Sequence, residues 1–310
     1  MKGNNVYEKN LTKDVFLFVS AFFSNQLAKF APKLYVNLTH QTGRGQSEED
    51  TLQVANYFIR CFHDYRDQIN LSEEEFSEYL KGGVVLEYGP GDILGVALLM
   101  YAYGAKKVHC VDRFPLSKLS NKNIKVYSYI LNSLDDTRRD RAANAFKERG
   151  RPESGLNPKI ISYKITENGL SDIRGEYDLV ISRAVLEHVN SLEETMLDIS
   201  RSMKAGGISI HQVDLKSHDL DRYAVFDFLT WPKVLYKLMY SHKGFPNRWR
   251  IDKYKELARS SNLHLRKLTP TGRIGQDEIN IIYSKLAKEF MHISPEDLSW
   301  LGFWMILEHT

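Results

Sequence analysis

The stretch from Val84 to Asp112, VVLEYGPGDILGVALLMYAYGAKKVHCVD, constrains the fold of this chain more than any other. A β-branched run, Val84-Val85-Leu86, ends in an acid, Glu87, and is followed by Gly89-Pro90-Gly91 and Gly95. An apolar stretch of helical length comes next, and a second β-rich run from Val108 to Val111 ends in Asp112. Strand, glycine turn, helix, strand and acid make half of a nucleotide-binding α/β unit. Gly89 allows the tight turn, Gly91 lets backbone approach a ligand, and Gly95 lets the helix pack close to the strand. Asp112 stands where the end of a second strand meets a ribose.

The remainder of the chain agrees with a parallel α/β sheet. Strand candidates are Val84–Tyr88, Lys107–Val111, Lys159–Lys164, Tyr177–Arg183, Ile208–Val213, His264–Leu268 and Phe303–His309. Residues 1–82 read as a helical N-terminal extension. Val15, Phe16, Phe18, Val19, Phe22, Phe23, Leu27 and Phe30 fall at helical spacing and predict a buried helix, ended or bent by Pro32. Thr42 to Gln46 signals a loop, Ser47 is the expected N-cap of a second helix, and Ser72-Glu73-Glu74-Glu75 fits a capping box for a third. Residues 83–310 form the second region, with a helical, aromatic and basic insertion at about 215–250. The charged run Asp135–Arg151 reads as a solvated helix.

Composition narrows the class. A net charge of +3 on 42 basic and 39 acidic residues lacks the basic stripe that nucleic acid requires. Cys61 and Cys110 form no ligand motif and read as reduced core thiols, in keeping with a cytoplasmic protein. The apolar run Val15–Phe23 is too short to span a membrane, and no secretory signal is expected. Contact of that helix with a membrane surface or a partner stays open, as does a homodimer.

The ligand can be read from charge. A dinucleotide turn is G-x-G-x-x-G and faces a pyrophosphate, whereas here Asp92 stands in the turn and Glu87 precedes it. Two acids disfavour an anionic ligand and suit a cationic one. S-adenosylmethionine has a ribose, no phosphate, a sulfonium and an ammonium.

Glu87-Tyr88-Gly89-Pro90-Gly91 resembles the first motif of the class I S-adenosylmethionine-dependent methyltransferases, and Tyr177–Val189, YDLVISRAVLEHV, resembles their fourth-strand motif. The resemblance covers about residues 82–310. It implies a Rossmann-like seven-stranded sheet of order 3-2-1-4-5-7-6, with the last strand antiparallel and helices on both faces. Lys204 to Gly207 would turn into the fifth strand. The cofactor would meet Glu87, Gly89, Gly91, Asp112, Arg113, Ser182, Arg183 and Ala184. The family's acidic pair after the third strand is replaced by Ile165-Thr166-Glu167-Asn168-Gly169, so Glu167 or Asn168 would face the adenine. Tyr240–Ile251, the Gly-Pro-Gly-Asp turn and the Thr42–Gly45 loop are similar to methyltransferases found among bacterial surface-polysaccharide enzymes.

Methyl transfer to a hydroxyl needs alignment and a base. His188, His211 and His218 stand in or after strands, and His218 with Asp214 is the expected acceptor-side pair, His218 being the base. His188, Arg248 and Arg250 are expected to bind acceptor, the arginines gripping a carboxylate or phosphate. Glu187-His188 also reads as plain fold architecture, and His211 as a core histidine. A metal on His211, Asp214, His218 and Asp219 has no specifying spacing, and none is expected. The sequence thus predicts O-methylation of a sugar, glycan or other small hydroxylated acceptor. N-methylation on the same fold, or cofactor binding without turnover, stays open; a nicotinamide dehydrogenase is disfavoured.

Overall fold

The computed structural model describes residues 7–31, 34, 35, 38 and 50–310. The expectations at Pro32, Thr42–Gln46 and Ser47 lie outside these residues.

Seven strands form one sheet in the order β3-β2-β1-β4-β5-β7-β6. They are β1 (Val84–Tyr88), β2 (Lys107–Asp112), β3 (Ile161–Ile165), β4 (Tyr177–Arg183), β5 (Met203–Asp214), β6 (Leu263–Arg273) and β7 (Trp300–His309). The β-branched runs of β1 and β4 are buried on both faces, which is why they lack polar alternation. Strands β1 to β5 pair in parallel, whereas β7 runs antiparallel to both β5 and β6. The Lys204–Gly207 turn is absorbed into β5, where Gly206 kinks the strand at φ +73°.

Among the described residues before β1 are the helices α1 (Leu11–Phe30), α2 (Thr51–Gln68) and α3 (Glu73–Leu80). Asp50 caps α2, and the Ser72–Glu75 capping box opens α3. Buried Phe58, Cys61, Phe62 and Tyr65 of α2 pack against α4 (Gly95–Ala102) on one face of the sheet. The same face carries α5 (Asn121–Ser133) and α6 (Asp136–Ala143). The charged run therefore forms a helix only as far as Ala143. Its Arg141 is no free surface group, because it donates to the carbonyls of Tyr101, Gly104 and Ala105. The opposite face is covered by α7 (Leu192–Ser202) and α9 (Ile251–Ser260), with α8 (Lys233–Tyr240) lying in the insertion between β5 and α9.

Helix α1 is not buried as its periodicity predicts. Leu11, Val15, Phe16, Phe23 and Phe30 are all more than half exposed. Only Ala21, Asn25 and Ala28 are buried within it. Apolar residues lie on nearly every side of this helix, so spacing alone does not select the packed face. The contact it makes is with the insertion rather than with the sheet. Asn25 donates to Leu238 O and accepts from His242 N, and Lys243 Nζ donates to Ala21 O. Arg222 of the insertion pairs with Asp14 and Asp227. A third apolar cluster joins Ala21 to Phe228, Met239, Ile282 and their neighbours. No helix among the described residues is long and apolar enough to cross a membrane.

Candidate functional site

A cavity of about 600 Å³ opens at the carboxyl ends of β1, β2 and β4, where the strand order reverses. Gly89, Pro90 and Gly91 form its floor, with Gly89 at φ +60° and Gly91 at φ +78°. A Cβ on Gly89 would lie 2.4 Å from Val185 Cγ2, so the turn is seated against the loop after β4. Gly95 plays a different part from the one expected: a Cβ there would meet Phe58 Cγ at 2.5 Å. It lets α2, rather than a strand, come close to the turn.

Asp112 ends β2 and is 8% exposed. Its Oδ1 accepts from Arg113 N (2.7 Å) and Phe114 N (3.1 Å), whereas buried Oδ2 has no protein partner. Burial raises its pKa, and bonds from backbone N–H groups oppose that rise. Glu87, buried at the end of β1, is pushed up to about 8 by desolvation. The acids facing the cavity are thus Glu87 and Asp112. Asp92 is not in the wall; its carbonyl accepts from Asn123 on α5. Arg113, Asn168, Gly169, Arg183 and Ala184 complete this end. Arg183 is held by Asp64 at 2.7 Å, and Ala184 takes the left-handed φ of +53° that turns the chain out of β4. Between the two candidates after β3, Asn168 lines the cavity and exposed Glu167 does not.

At the far end stand His188 and His218. Their rings lie edge to face, 4.8 Å between centroids. Desolvation lowers both, His188 to about 4, so both are neutral imidazoles at neutral pH. Asp214 lies behind them, outside the wall: Lys216 Nζ is 3.2 Å from its carboxylate, and its own N donates to Glu187 Oε1.

Other expected residues are placed elsewhere. Ser182 is fully buried, and its hydroxyl bonds His211 Nδ1 at 2.7 Å, which leaves both inside the sheet. Arg248 lines a neighbouring cavity, but its guanidinium is bound by Phe228 O, Trp231 O and Glu289 and lies over Tyr236. Arg250 is 1% exposed and donates to Leu215 O, Leu298 O and Trp300 O. The expected anion grip is therefore a pair of internal staples. Local composition could not show this, because all the acceptors of Arg250 are distant carbonyls.

Several wall residues escaped the sequence reading. Tyr57, Phe58, Cys61 and Tyr65 come from α2, Ala28 from α1, and His242 and Lys243 from the insertion. Lys243 is buried and lowered to about 8 by desolvation. A signal existed for α2 in its aromatic stripe, but nothing local said that the stripe would face a ligand.

A family model described as a methyltransferase domain matches residues 60–268, two thirds of the chain. No curated protein matches significantly. Solved structures similar to the chain include a candidate sarcosine dimethylglycine methyltransferase from Galdieria sulphuraria (13% identity, covering 90% of this chain and 97% of that one, TM-score 0.47). A phosphoethanolamine N-methyltransferase 2 from Haemonchus contortus is 11% identical, covering 85% and 58%, with TM-score 0.45. A candidate S-adenosylmethionine-dependent methyltransferase from Listeria monocytogenes is 12% identical, covering 80% and 97%, with TM-score 0.43. Their acceptors carry no weight for this chain at such identities.

Proposed function

As a member of the methyltransferase-domain family, the chain is an S-adenosylmethionine-dependent methyltransferase, and we propose that it methylates a hydroxyl of a small or glycan-like acceptor. The cofactor supplies an electrophilic methyl group on a sulfonium. The residues present fit it. The observation that carries this is Asp112: it lines the cavity at the end of β2, backbone N–H groups of Arg113, Phe114 and the turn residue Gly91 hold its carboxylate, and its Oδ2 is buried beside the turn. A ribose diol offers the donors that such an atom needs. An ammonium beside Glu87 would draw its raised carboxyl back to the charged form, the glycine turn would admit the methionine backbone, and Asn168 would face the adenine.

A hydroxyl acceptor is supported by the His188–His218 pair. A neutral alcohol is a weak nucleophile, and a neutral imidazole at its side accepts the proton as the oxygen attacks. His218, the more exposed of the two, serves as that base, with Asp214 behind it biasing the ring. The insertion and α1 roof the cavity and limit water around the sulfonium. The Tyr240–Ile251 segment supports a surface-polysaccharide precursor as acceptor.

The test is methyl transfer from labelled S-adenosylmethionine to a panel of monosaccharides, nucleotide sugars and amines. His218→Ala should lower kcat on a hydroxyl acceptor by about 10²-fold or more while leaving cofactor affinity unchanged. Near-full activity of that variant, or transfer to amines alone, would instead favour N-methylation.

A further inference from the structure

Glu187, His188 and His218 converge beyond the cofactor turn in a manner that the base mechanism does not require. Their ligating atoms all lie within 4.8 Å of one another. Glu187 is 2% exposed, and its Oε2 has no partner, while Oε1 accepts from Asp214 N at 3.2 Å. Backbone N–H groups of Asp214 and of Glu187 itself hold the carboxyl, but a buried second oxygen without a partner is costly unless a further group completes it. His188 Nδ1 is likewise buried without a partner. The turn carrying both residues is clamped: Asn247 N donates to Glu187 O at 2.7 Å, and Asn247 Nδ2 donates to Leu186 O at 2.8 Å. His218 reaches the pair from a strained segment, with φ +50° at His218 and +66° at Asp219.

We propose that Glu187, His188 and His218 form a site for one divalent transition-metal ion at the acceptor end of the cavity. Two imidazoles and one carboxylate on one side of an ion, with the other positions open, suit manganese, iron, cobalt or zinc better than magnesium. The open positions face the cavity that His188 and His218 line. Ligands about 2.0–2.2 Å from an ion lie closer together than the present spacing. The adjustment falls on His218, which is the exposed member, while Glu187 and His188 stay fixed. This set differs from the His211-containing one that the sequence brings to mind, since His211 is occupied by Ser182 inside the sheet.

The ion's role rests on the methyl-transfer reading: it orients the acceptor hydroxyl and makes its proton more acidic. The O–CH3 bond forms as the C–S bond breaks, the C–S electron pair stays on sulfur, and the hydroxyl proton goes to water. The site therefore replaces the free-base role of His218: turnover that survives chelator but falls in His218→Ala keeps His218 as the base and overturns the role of the ion.

Binding is measured on the full chain without cofactor or acceptor, by loss of the free manganese(II) resonance signal on titration and by the visible absorption of cobalt(II). The site predicts one ion per chain, with affinity weakened at least about tenfold in Glu187→Gln and in His218→Ala. His218 is on the surface, so its variant should keep the wild-type melting curve even where the buried Glu187→Gln does not. Chelator should abolish turnover, and manganese should restore it. Absent binding, or binding indifferent to His218→Ala, overturns the site. Either result leaves S-adenosylmethionine affinity and methyl transfer standing to be judged on their own assays.

Discussion

Gly89 of the turn and Glu87 of the strand before it expose the forces at work. Gly89 combines a positive φ with a Cβ position 2.4 Å from Val185 Cγ2. Gly89→Ala should therefore destabilise the chain by about 1–3 kcal/mol through strain and overlap. Adding Val185→Ala relieves the overlap alone and should restore only part of that loss in denaturant titrations. Glu87 gives a pH signature. Its carboxyl is raised from 4.5 to about 8 by burial. A group that holds its proton more tightly when folded contributes its full stability below the unfolded value, and this is lost as pH rises through the folded value. Wild type should lose stability relative to Glu87→Gln between pH 4.5 and about 8. A pH-independent gap between the two proteins would show that Glu87 does not titrate in this way. That Glu87, Gly89 and Asp112 meet at one cavity was legible because a glycine turn and strand ends are local features. Asn168 over Glu167 was not, since both follow β3 and only the loop's path selects one.

At the scale of elements, the sheet was the most legible part. Buried parallel strands require apolar β-branched runs, and β1 and β4 match their expected limits residue for residue. The longer β5, β6 and β7 extend beyond theirs: Met203 of β5 pairs in parallel with Tyr177 of β4, and the added residues of β6 and β7 pair in the antiparallel ladder. The insertion was legible as an element but not in its chemistry. Arg250 ties it to Leu215 at the end of β5 and to Leu298 and Trp300 at the start of β7. Arg250→Met should cost about 2–4 kcal/mol in unfolding free energy, because three buried carbonyls lose their donor. If Arg250 instead gripped an anionic acceptor, the variant would raise KM with no change in stability. Helix α1 failed for the complementary reason. Its apolar residues exceed what one packed face can use, and its partner, the insertion, lies about 200 residues away in sequence.

For the whole molecule, the floor and the roof of one cavity have different origins. The floor comes from the sheet's carboxyl edge, which any parallel α/β fold of this order provides. The roof comes from α1, α2 and the insertion, and residues 7–59 fall outside the matched family region. This division explains why a nucleotide-derived cationic ligand could be read from the sequence while the acceptor could not. The ligand's recognition is written in contiguous motifs, whereas the roof assembles Ala28, Tyr57, Cys61, His218 and Lys243 from distant segments. We propose that the Asp112 carboxylate, at the end of β2 in the cavity wall, binds a cofactor ribose in a phosphate-free site. Titration calorimetry of the wild type and Asp112→Asn with S-adenosylmethionine and with NAD tests it most directly. S-adenosylmethionine should bind the wild type with a Kd below about 1 mM, at least about tenfold more tightly than it binds Asp112→Asn, and NAD should not bind. No heat with S-adenosylmethionine, equal affinity in the two proteins, or NAD binding in its place would contradict the account.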